Sequence, residues 1–310
     1  MKYFVFISLA LIGSLFSNIE NHYKKIVDKP RDCKIKNIDY IYLINLDERD
    51  EKYQLSVDQL NKYGIKAYRF SAVDGWKLSI EAINEVGTKY KRGMVGGYMA
   101  TSYHPNQNFQ PSHEIIKNFG QTYYCHCTAR GTIGCALSHL SVLKDAYDSG
   151  YNTIWVMEDD IEIKQNPLIL SKLIEELDKR TDKNWDILYT DRDIRDKNGI
   201  YIPCSSAATC LGFNPNCPNP YALKIDKGPN LRQVGARFST TSMIIRRRGM
   251  EKILGFYKQH GMFLPIDMTL SLPKGIRLYT VRQDVVTNIA GAISDNGVPR
   301  HLSKSKKNTD

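Results

Sequence analysis

The sequence predicts an α/β fold, with a mostly parallel central sheet and an irregular C-terminal half. Three observations carry the prediction. Residues 38–73 run strand, helix, strand in about 35 residues, the pattern of a parallel βαβ unit. Apolar runs rich in β-branched and aromatic residues then alternate with amphipathic stretches down the chain. Acidic and amide residues follow one strand after another, at the end of the sheet where open α/β folds receive ligands.

Each element has its own signal. "IDYIYLINL", residues 38–46, is a strand of β-branched and aromatic residues. "RDEKYQLSVDQLNKYG" follows as a helix, with Tyr53, Val57 and Leu60 on one face and Gly64 as its C-terminal cap. "IKAYRFSAV" is the second strand, broken by Asp74 and Gly75. Residues 84–130 scatter Gly, Tyr, His and Asn, and are expected to lie over the site as irregular structure with short helices. "GTIGCALSHLSVLKDAYDSG" is a helix with Ala136, Leu140, Leu143 and Tyr147 along one stripe and Gly150 at its end. Then come the strand "NTIWVM", the helix "PLILSKLIEELDK" and the strand "NWDILYT". Residues 191–232 are loop-like. "FSTTSMIIRR" is a strand, "GMEKILGFYKQH" a helix, and "IRLYTVRQDVV" is expected to close the sheet. No internal repeat is visible.

The chain has 310 residues, 42% of them hydrophobic, enough for one large domain or two small ones with a real core. The expected organisation is a signal-like or anchor segment at 1–20, a catalytic domain at 37–300 and a basic flexible tail at 301–310. Lys2 precedes an uncharged run, residues 3–16, that resembles the apolar core of a secretory signal. The run is shorter than the roughly 20 residues of a membrane-spanning helix. "SLFSN" lacks a clean cleavage pattern, so an uncleaved anchor stays open, as does a buried N-terminal strand. Membrane association or a secretory or periplasm-facing location follows, with the cytoplasmic face of a membrane as the alternative. The net charge of +10 suits an acidic partner such as a nucleotide, a phosphorylated lipid or an anionic membrane surface. No nucleic-acid-binding signature is present, so no nucleic-acid partner is expected.

Seven cysteines are an odd number. Cys204, Cys210 and Cys217 sit in a Gly/Pro/Asn-rich stretch that they could staple. Cys125, His126 and Cys127 invite a zinc reading, but no second pair at zinc-finger spacing follows.

The chemistry concentrates in "NTIWVMEDDIEI", residues 152–163. An apolar run ends in Glu158, Asp159 and Asp160, three adjacent carboxylates that repel one another beside apolar neighbours. A solvated turn explains them, and so does a site for a hard divalent cation, Mn2+ or Mg2+, of the kind that binds substrate phosphates. Asn45 and "DERD" follow the first strand, Asp74 and Gly75 the second, and Asp191 and Asp193 the strand "NWDILYT". Asp191 and Asp193 form a literal D-x-D and rival the triplet for metal or base roles; a charged turn is the alternative. Arg49 suits a bidentate contact with phosphate, or a salt bridge at a helix end. Arg130 precedes the glycines of "GTIG" and could meet phosphate at a helix N-terminus, or lie on the surface. His139, beside Ser138, either faces a ligand or is a hydrogen-bonded core histidine.

In this order, "YIYLINLDERDEKY", "FSAVDG", "GTIGCALSHLSVLKDAYDSG" and "IWVMEDDIEI" resemble glycosyltransferase family 25, which includes lipopolysaccharide and collagen galactosyltransferases. "WDILYTD", "RRGMEKIL", "PID" and "ISDNG" extend the resemblance over roughly residues 38–296. It implies a GT-A-type fold, a UDP-galactose or UDP-glucose donor and a metal-bound diphosphate. Asp160 would then touch the metal and Glu158 the ribose or a metal-bound water. Asp159 would orient the turn. Asn45, Leu46, Arg49, Asp74 and Gly75 would lie near the nucleotide. The family is expected to invert the anomeric centre, which needs one general base. Asp267, alone among apolar residues in "FLPIDMTL", is the first candidate, with a helix cap as its alternative. Ser294 and Asp295 could close over the donor, with a simple turn as the equal alternative. The acceptor would be a lipopolysaccharide-type glycan or glycolipid, or hydroxylysine in a collagen-like protein. Residues 84–130 and 204–220 depart from the short bacterial enzymes, which leaves acceptor choice open. Two other readings stand beside this one: a metal-dependent nucleotidyltransferase or phosphatase, and a non-catalytic sugar-binding protein of the same fold.

Overall fold

The computed structural model describes residues 18–97, 99–105, 110–193 and 220–298. The signal-like run, Cys204, Cys210, Cys217 and the basic tail lie outside them.

The expected βαβ unit opens the fold. Strand β1 (Tyr40–Asn45) runs into helix α1 (Asp50–Asn61), and β2 (Tyr68–Ser71) returns parallel to β1, pairing Tyr42 with Tyr68. Asp50 and Glu51 sit in the first turn of α1, where the helix dipole favours acids. Gly64 takes φ +65°, the left-handed conformation that ends a helix without a Cβ clash. Every residue of β1 is buried because the strand is covered on both faces. Tyr40, Tyr42 and Ile44 enter one apolar core, while Ile41 and Leu43 enter the other.

One helix and one strand complete the scaffold near the site. Helix α3 (Arg130–Asp148) carries Ile133, Leu137 and Leu140 into the first core. It ends before Gly150, φ +77°. Strand β7 (Thr153–Glu158) lies on the other side of β1, again parallel, with Ile44 opposite Glu158. Thus β1 and β7 end side by side, and their last residues face one rim.

Residues 84–130 are more regular than the sequence implied. Helix α2 (Ile80–Val86) leads into a four-stranded antiparallel sheet of β3 (Thr88–Lys89), β4 (Met99–Tyr103), β5 (Pro111–Ile115) and β6 (Thr122–Cys125), ordered β3-β6-β4-β5. These strands hold two to five residues each. Their apolar alternation is too short to read, and pairing rather than pattern makes them strands.

The second half adds β8 (Ile161–Ile163), α4 (Leu170–Thr181), β9 (Ile187–Tyr189), β10 (Lys224–Asp226), β11 (Leu231–Val234), β12 (Ser242–Arg246), α5 (Arg247–His260), α6 (Ile266–Thr269), β13 (Leu278–Val281) and β14 (Val286–Asn288). The central sheet runs β10-β11-β13-β9-β12-β7-β1-β2. It is mixed: β2-β1-β7 and β9-β13 pair parallel, and the other four pairings are antiparallel. Strand β13 lies between β9 and β11 instead of closing the sheet, because β10 and β11, read from sequence as loop, extend it further. Helices α3 and α5 cover one face, and α1 and α4 the other. Among the described residues no helix is long and apolar enough to cross a membrane.

The D-x-D of residues 191–193 has other work. Asp191 is buried and accepts from Arg237 Nη2 at 2.7 Å, while Arg237 Nη1 donates to the Asp191 carbonyl at 2.9 Å and to Thr280 Oγ1 at 3.1 Å. Asp193 pairs with Lys224. Both acids are therefore tied to basic partners, and neither lines the cleft described below.

Arg237 has a fully buried side chain and crosses the Tyr189 ring at 4.3 Å. Removing it leaves a buried carboxylate unpaired. Arg237→Ala should cost about 3–5 kcal/mol in urea unfolding, and Arg237→Met with Asp191→Leu should recover most of that loss. A single variant within 1 kcal/mol of the parent would contradict the assignment of this pair as a structural lock.

Candidate active site

An open cleft of about 620 Å³ sits at the rim where β1, β2 and β7 end. Of the residues singled out in the sequence, Asn45, Leu46, Asp74, Gly75, Ser138, Glu158 and Asp160 line it together. Asp159, Ser294 and Asp295 join them. Arg49, Arg130, His139 and Asp267 do not reach its lining.

Glycines bring the walls together. A Cβ on Gly75 would meet the Arg130 carbonyl oxygen at 1.9 Å, and one on Gly134 would meet the Gly75 nitrogen at 2.3 Å. The loop after β2 therefore lies directly on the first turns of α3. Ser138 reinforces this contact: its Oγ accepts from Val73 N–H and donates to the Gly134 carbonyl, both at 2.8 Å. Its role here is to hold the loop. Arg130 acts similarly and does not offer its charge to the cleft. Its guanidinium donates to the carbonyls of Gly75 and Leu78, fixing the loop that begins at Asp74. Those carbonyls occupy its Nε and Nη2.

Arg49 is likewise engaged by a carboxylate. Its Nε and Nη2 grip Asp295 Oδ2 and Oδ1 at 2.8 and 2.5 Å, a two-point fork that is nearly buried. The salt-bridge alternative prevails over the phosphate contact. Trp76 Nε1 donates to the Asp295 carbonyl at 2.9 Å, and Asp74 Oδ1 accepts from Trp76 N–H at 3.0 Å. Residues 294–296 are thereby held in the lining of the cleft.

The three carboxylates at the end of β7 have three different environments. Glu158 Oε1 accepts from Thr240 Oγ1 at 2.6 Å and lies 3.0 Å from His139 Nε2. Burial pushes its carboxyl up, but the His139 and Thr240 hydrogen bonds outweigh this and hold it below its usual range. Asp159 Oδ2 accepts from Asn45 Nδ2 at 2.7 Å, and Ser56 Oγ donates to its carbonyl at 2.9 Å. Burial, partly offset by Lys52 and Asn45, pushes Asp159 up to about 6. Asp160 Oδ1 is buried with no hydrogen-bond partner among the described residues. Burial and the charges of Glu158 and Asp159 push Asp160 up to about 7. An orphaned carboxylate oxygen beside two other acids fits a hard cation, which would satisfy the oxygen and remove the repulsion together.

Asn45 is the hub of this rim. Its amide donates to the Arg49 carbonyl at 2.9 Å as well as to Asp159, and its Oδ1 accepts from Arg69 Nε and Nη2 at 2.9 and 2.6 Å. Those bonds assign it to positioning. His139, with a side chain 2% exposed, is a core histidine that also touches the site through Glu158.

Asp267 lies in α6, held from both sides by backbone. Ser239 N–H donates to Oδ2 at 3.1 Å, and Met268 N–H to Oδ1 at 2.9 Å. Burial raises its pKa despite these bonds, and Glu158 adds to the rise. The link between the two acids is the 239–241 loop, where Ser239 sits at φ +76°, an uncommon conformation for a residue with a Cβ. Sequence reasoning missed this loop and missed Lys52. Among the described residues lining the cleft, Lys52 is the one lysine or arginine. Its Nζ donates to the Ile293 carbonyl at 2.9 Å and lies 3.5 Å from Asp295 and 3.9 Å from Asp159. Its three-residue spacing from Arg49 was the available signal, since such a pair shares a helix face.

Comparison with known proteins adds an independent finding. The family model described as glycosyltransferase family 25 (LPS biosynthesis protein) matches residues 38–270. A "Glycosyltransferase 25 family member" from Aedes aegypti is 25% identical over 199 residues, 64% of this chain and 28% of the relative. "Procollagen galactosyltransferase 2" from Mus musculus is 29% identical over 155 residues, 50% of this chain and 21% of the relative. "Inactive glycosyltransferase 25 family member 3" from Homo sapiens is 23% identical over 155 residues, 50% of this chain and 22% of the relative. The chain spans about a quarter of the length of these curated relatives.

The acid triplet has a thermodynamic signature. A carboxyl raised by folding stabilises the protein below its unfolded pKa, near 4, and that stability is lost as pH rises through the folded value. For Asp160 the window runs from about 4 to about 7. In chelator-containing buffer, Asp160→Asn should therefore stabilise the fold by roughly 1–3 kcal/mol at pH 8 and leave it unchanged at pH 3. Equal effects at both pH values would show that Asp160 carries no excess charge cost.

Proposed function

The chain belongs to glycosyltransferase family 25, and from that premise we propose that it is a metal-dependent, inverting hexosyltransferase of GT-A type. The donor is a UDP-sugar, UDP-galactose or UDP-glucose. The observation that carries the proposal is the buried, partnerless Asp160 Oδ1 beside Glu158 and Asp159, in a cleft at the strand ends.

Asp160 would hold the cation, with Glu158 beside it. Bound there, Mn2+ or Mg2+ supplies positive charge to the diphosphate leaving group. The chain's own groups do the rest. Lys52 offers a cationic Nζ to the same phosphates. Asn45 and Ser56 hold Asp159 and so keep the triplet in place. Residues 294–296, anchored through Arg49, limit the access of water. Leu46, Asp74, Gly75 and Trp76 give the nucleotide a wall. Asp267, behind the cleft lining, takes the acceptor hydroxyl proton; burial raises its pKa, the direction that strengthens a carboxylate as a base.

The acceptor divides the proposal. The family description names LPS biosynthesis, which favours a glycan or glycolipid; the net charge of +10 suits an anionic one. The mouse relative's name, procollagen galactosyltransferase, favours a protein acceptor. We put the glycan first on the charge. Galactose heads the donors on the same relative's name.

A panel of UDP-sugars with Mn2+ tests the donor and the metal through UDP release, and paired glycan and collagen-peptide acceptors test transfer. Asp160→Asn should lower kcat at least about 100-fold, and Asp267→Asn about 100-fold or more while UDP binding is retained. Full activity in Asp160→Asn would overturn the site. UDP binding with no turnover of any donor would instead assign the chain to sugar-nucleotide binding without catalysis; the human relative's name calls that protein inactive.

Lys52→Met should raise the KM for the donor several-fold and reduce the salt sensitivity of UDP binding. An unchanged KM and salt slope would leave Lys52 as a support for the 293–295 segment only.

A further inference from the structure

Three side chains of different chemistry meet at the edge of the cleft, Cys135 and Glu158 in its lining and His139 buried behind them. Cys135 and His139 are four residues apart on α3, so they share one helix face. Glu158 faces them from the end of β7. Cys135 Sγ, His139 Nε2 and a Glu158 oxygen all lie within 4.8 Å of one another. His139 Nε2 is 3.0 Å from Glu158 Oε1, and Cys135 Sγ is 4.0 Å from it.

We propose that these three side chains form a second cation site, selective for zinc-class metals and separate from the hard-cation position at Asp160. Thiolate, imidazole and carboxylate are the ligand types that zinc uses. Tetrahedral zinc places such donor atoms roughly 3.3–3.7 Å apart. The observed 3.0 and 4.0 Å to Glu158 Oε1 lie on either side of that range, and Cys135 Sγ and His139 Nε2 are within 4.8 Å of each other. Cys135 and Glu158 both line the cleft, which leaves a fourth coordination position facing it. The paired aspartates favour Mn2+ or Mg2+, whereas sulfur and imidazole disfavour those ions and select Zn2+ or Co2+. The two environments share only Glu158. Zinc at the second site therefore withdraws Glu158 from the first. This site rests on three ligand atoms and stands whether or not the chain transfers a sugar.

Cobalt titration reads the sulfur ligand directly. The full chain with Co2+ should develop a near-ultraviolet sulfur-to-cobalt charge-transfer band that Zn2+ abolishes by displacement. Cys135→Ser should lose the band, and His139→Gln should weaken Co2+ binding at least about 10-fold. Asp160→Asn should keep the band. A Cys125→Ser, Cys127→Ser double variant should keep it too, which separates this site from the nearby Cys-His-Cys turn. Zn2+ should also slow alkylation of Cys135 in the unmodified protein, measured by peptide mass spectrometry, so the test survives a variant that folds poorly. Absence of the band, its survival in Cys135→Ser, or alkylation of Cys135 indifferent to Zn2+ would each overturn the proposal.

Discussion

Like-charge crowding at the end of β7 is the constraint around which the cleft is organised. Glu158, Asp159 and Asp160 are consecutive and all sit at a rim where burial raises the cost of ionisation. Strand β7 ends at Glu158, and Asp159 and Asp160 form the turn that follows it. The surroundings then differentiate them. Glu158 receives His139 and Thr240 and stays ionised; Asp159 receives Asn45; the Oδ1 oxygen of Asp160 receives nothing. The parallel pairing of β1 with β7 makes this possible, because it sets Ile44 opposite Glu158 and brings Asn45 within reach of Asp159.

Parallel pairing also explains how much was readable from the residues. Strand β1 and β7 are buried on both faces and appear as continuous apolar runs, and α1 and α3 show helical spacing across 12 and 19 residues. Local pattern was sufficient there. It was not sufficient for β3 to β6 or for β10 and β11, short segments that become strands through pairing, several of them with partners far along the chain. Only three of seven pairings in the main sheet are parallel, since β12 enters antiparallel between β7 and β9. Strand direction leaves no mark on side-chain alternation, so a mostly parallel sheet was the natural but incomplete expectation.

Residue types announced the site better than residue roles. Seven of the expected residues line one cleft; six of them stand at or just after a strand end, a legible position, and Ser138 comes from helix α3. Partners are not. Asp191 resembled a metal ligand until Arg237, 46 residues away, filled its oxygen. Arg49 resembled a phosphate clamp until Asp295, 246 residues away, took both arms of its fork. A lone charged residue in sequence shows its chemistry but not the counter-charge that folding assigns to it.

The difference between arginine and lysine then gives the cleft its division of labour. A guanidinium in a two-point fork is held in direction as well as distance, and it loses both bonds if it turns. Arg49 therefore suits a permanent tie that keeps Asp295 and its neighbours over the cleft. An ammonium on a four-carbon stem is a point charge that can exchange one acceptor for another at little geometric cost. Lys52 lies 3.5 and 3.9 Å from two carboxylates and forms its short bond to a backbone carbonyl, so neither acid holds it tightly. Were the two residues exchanged, the loop would rest on a weaker anchor and the cleft would carry a cation fixed in one direction. The observed arrangement fixes the anchor and leaves the loosely held charge in the cleft lining.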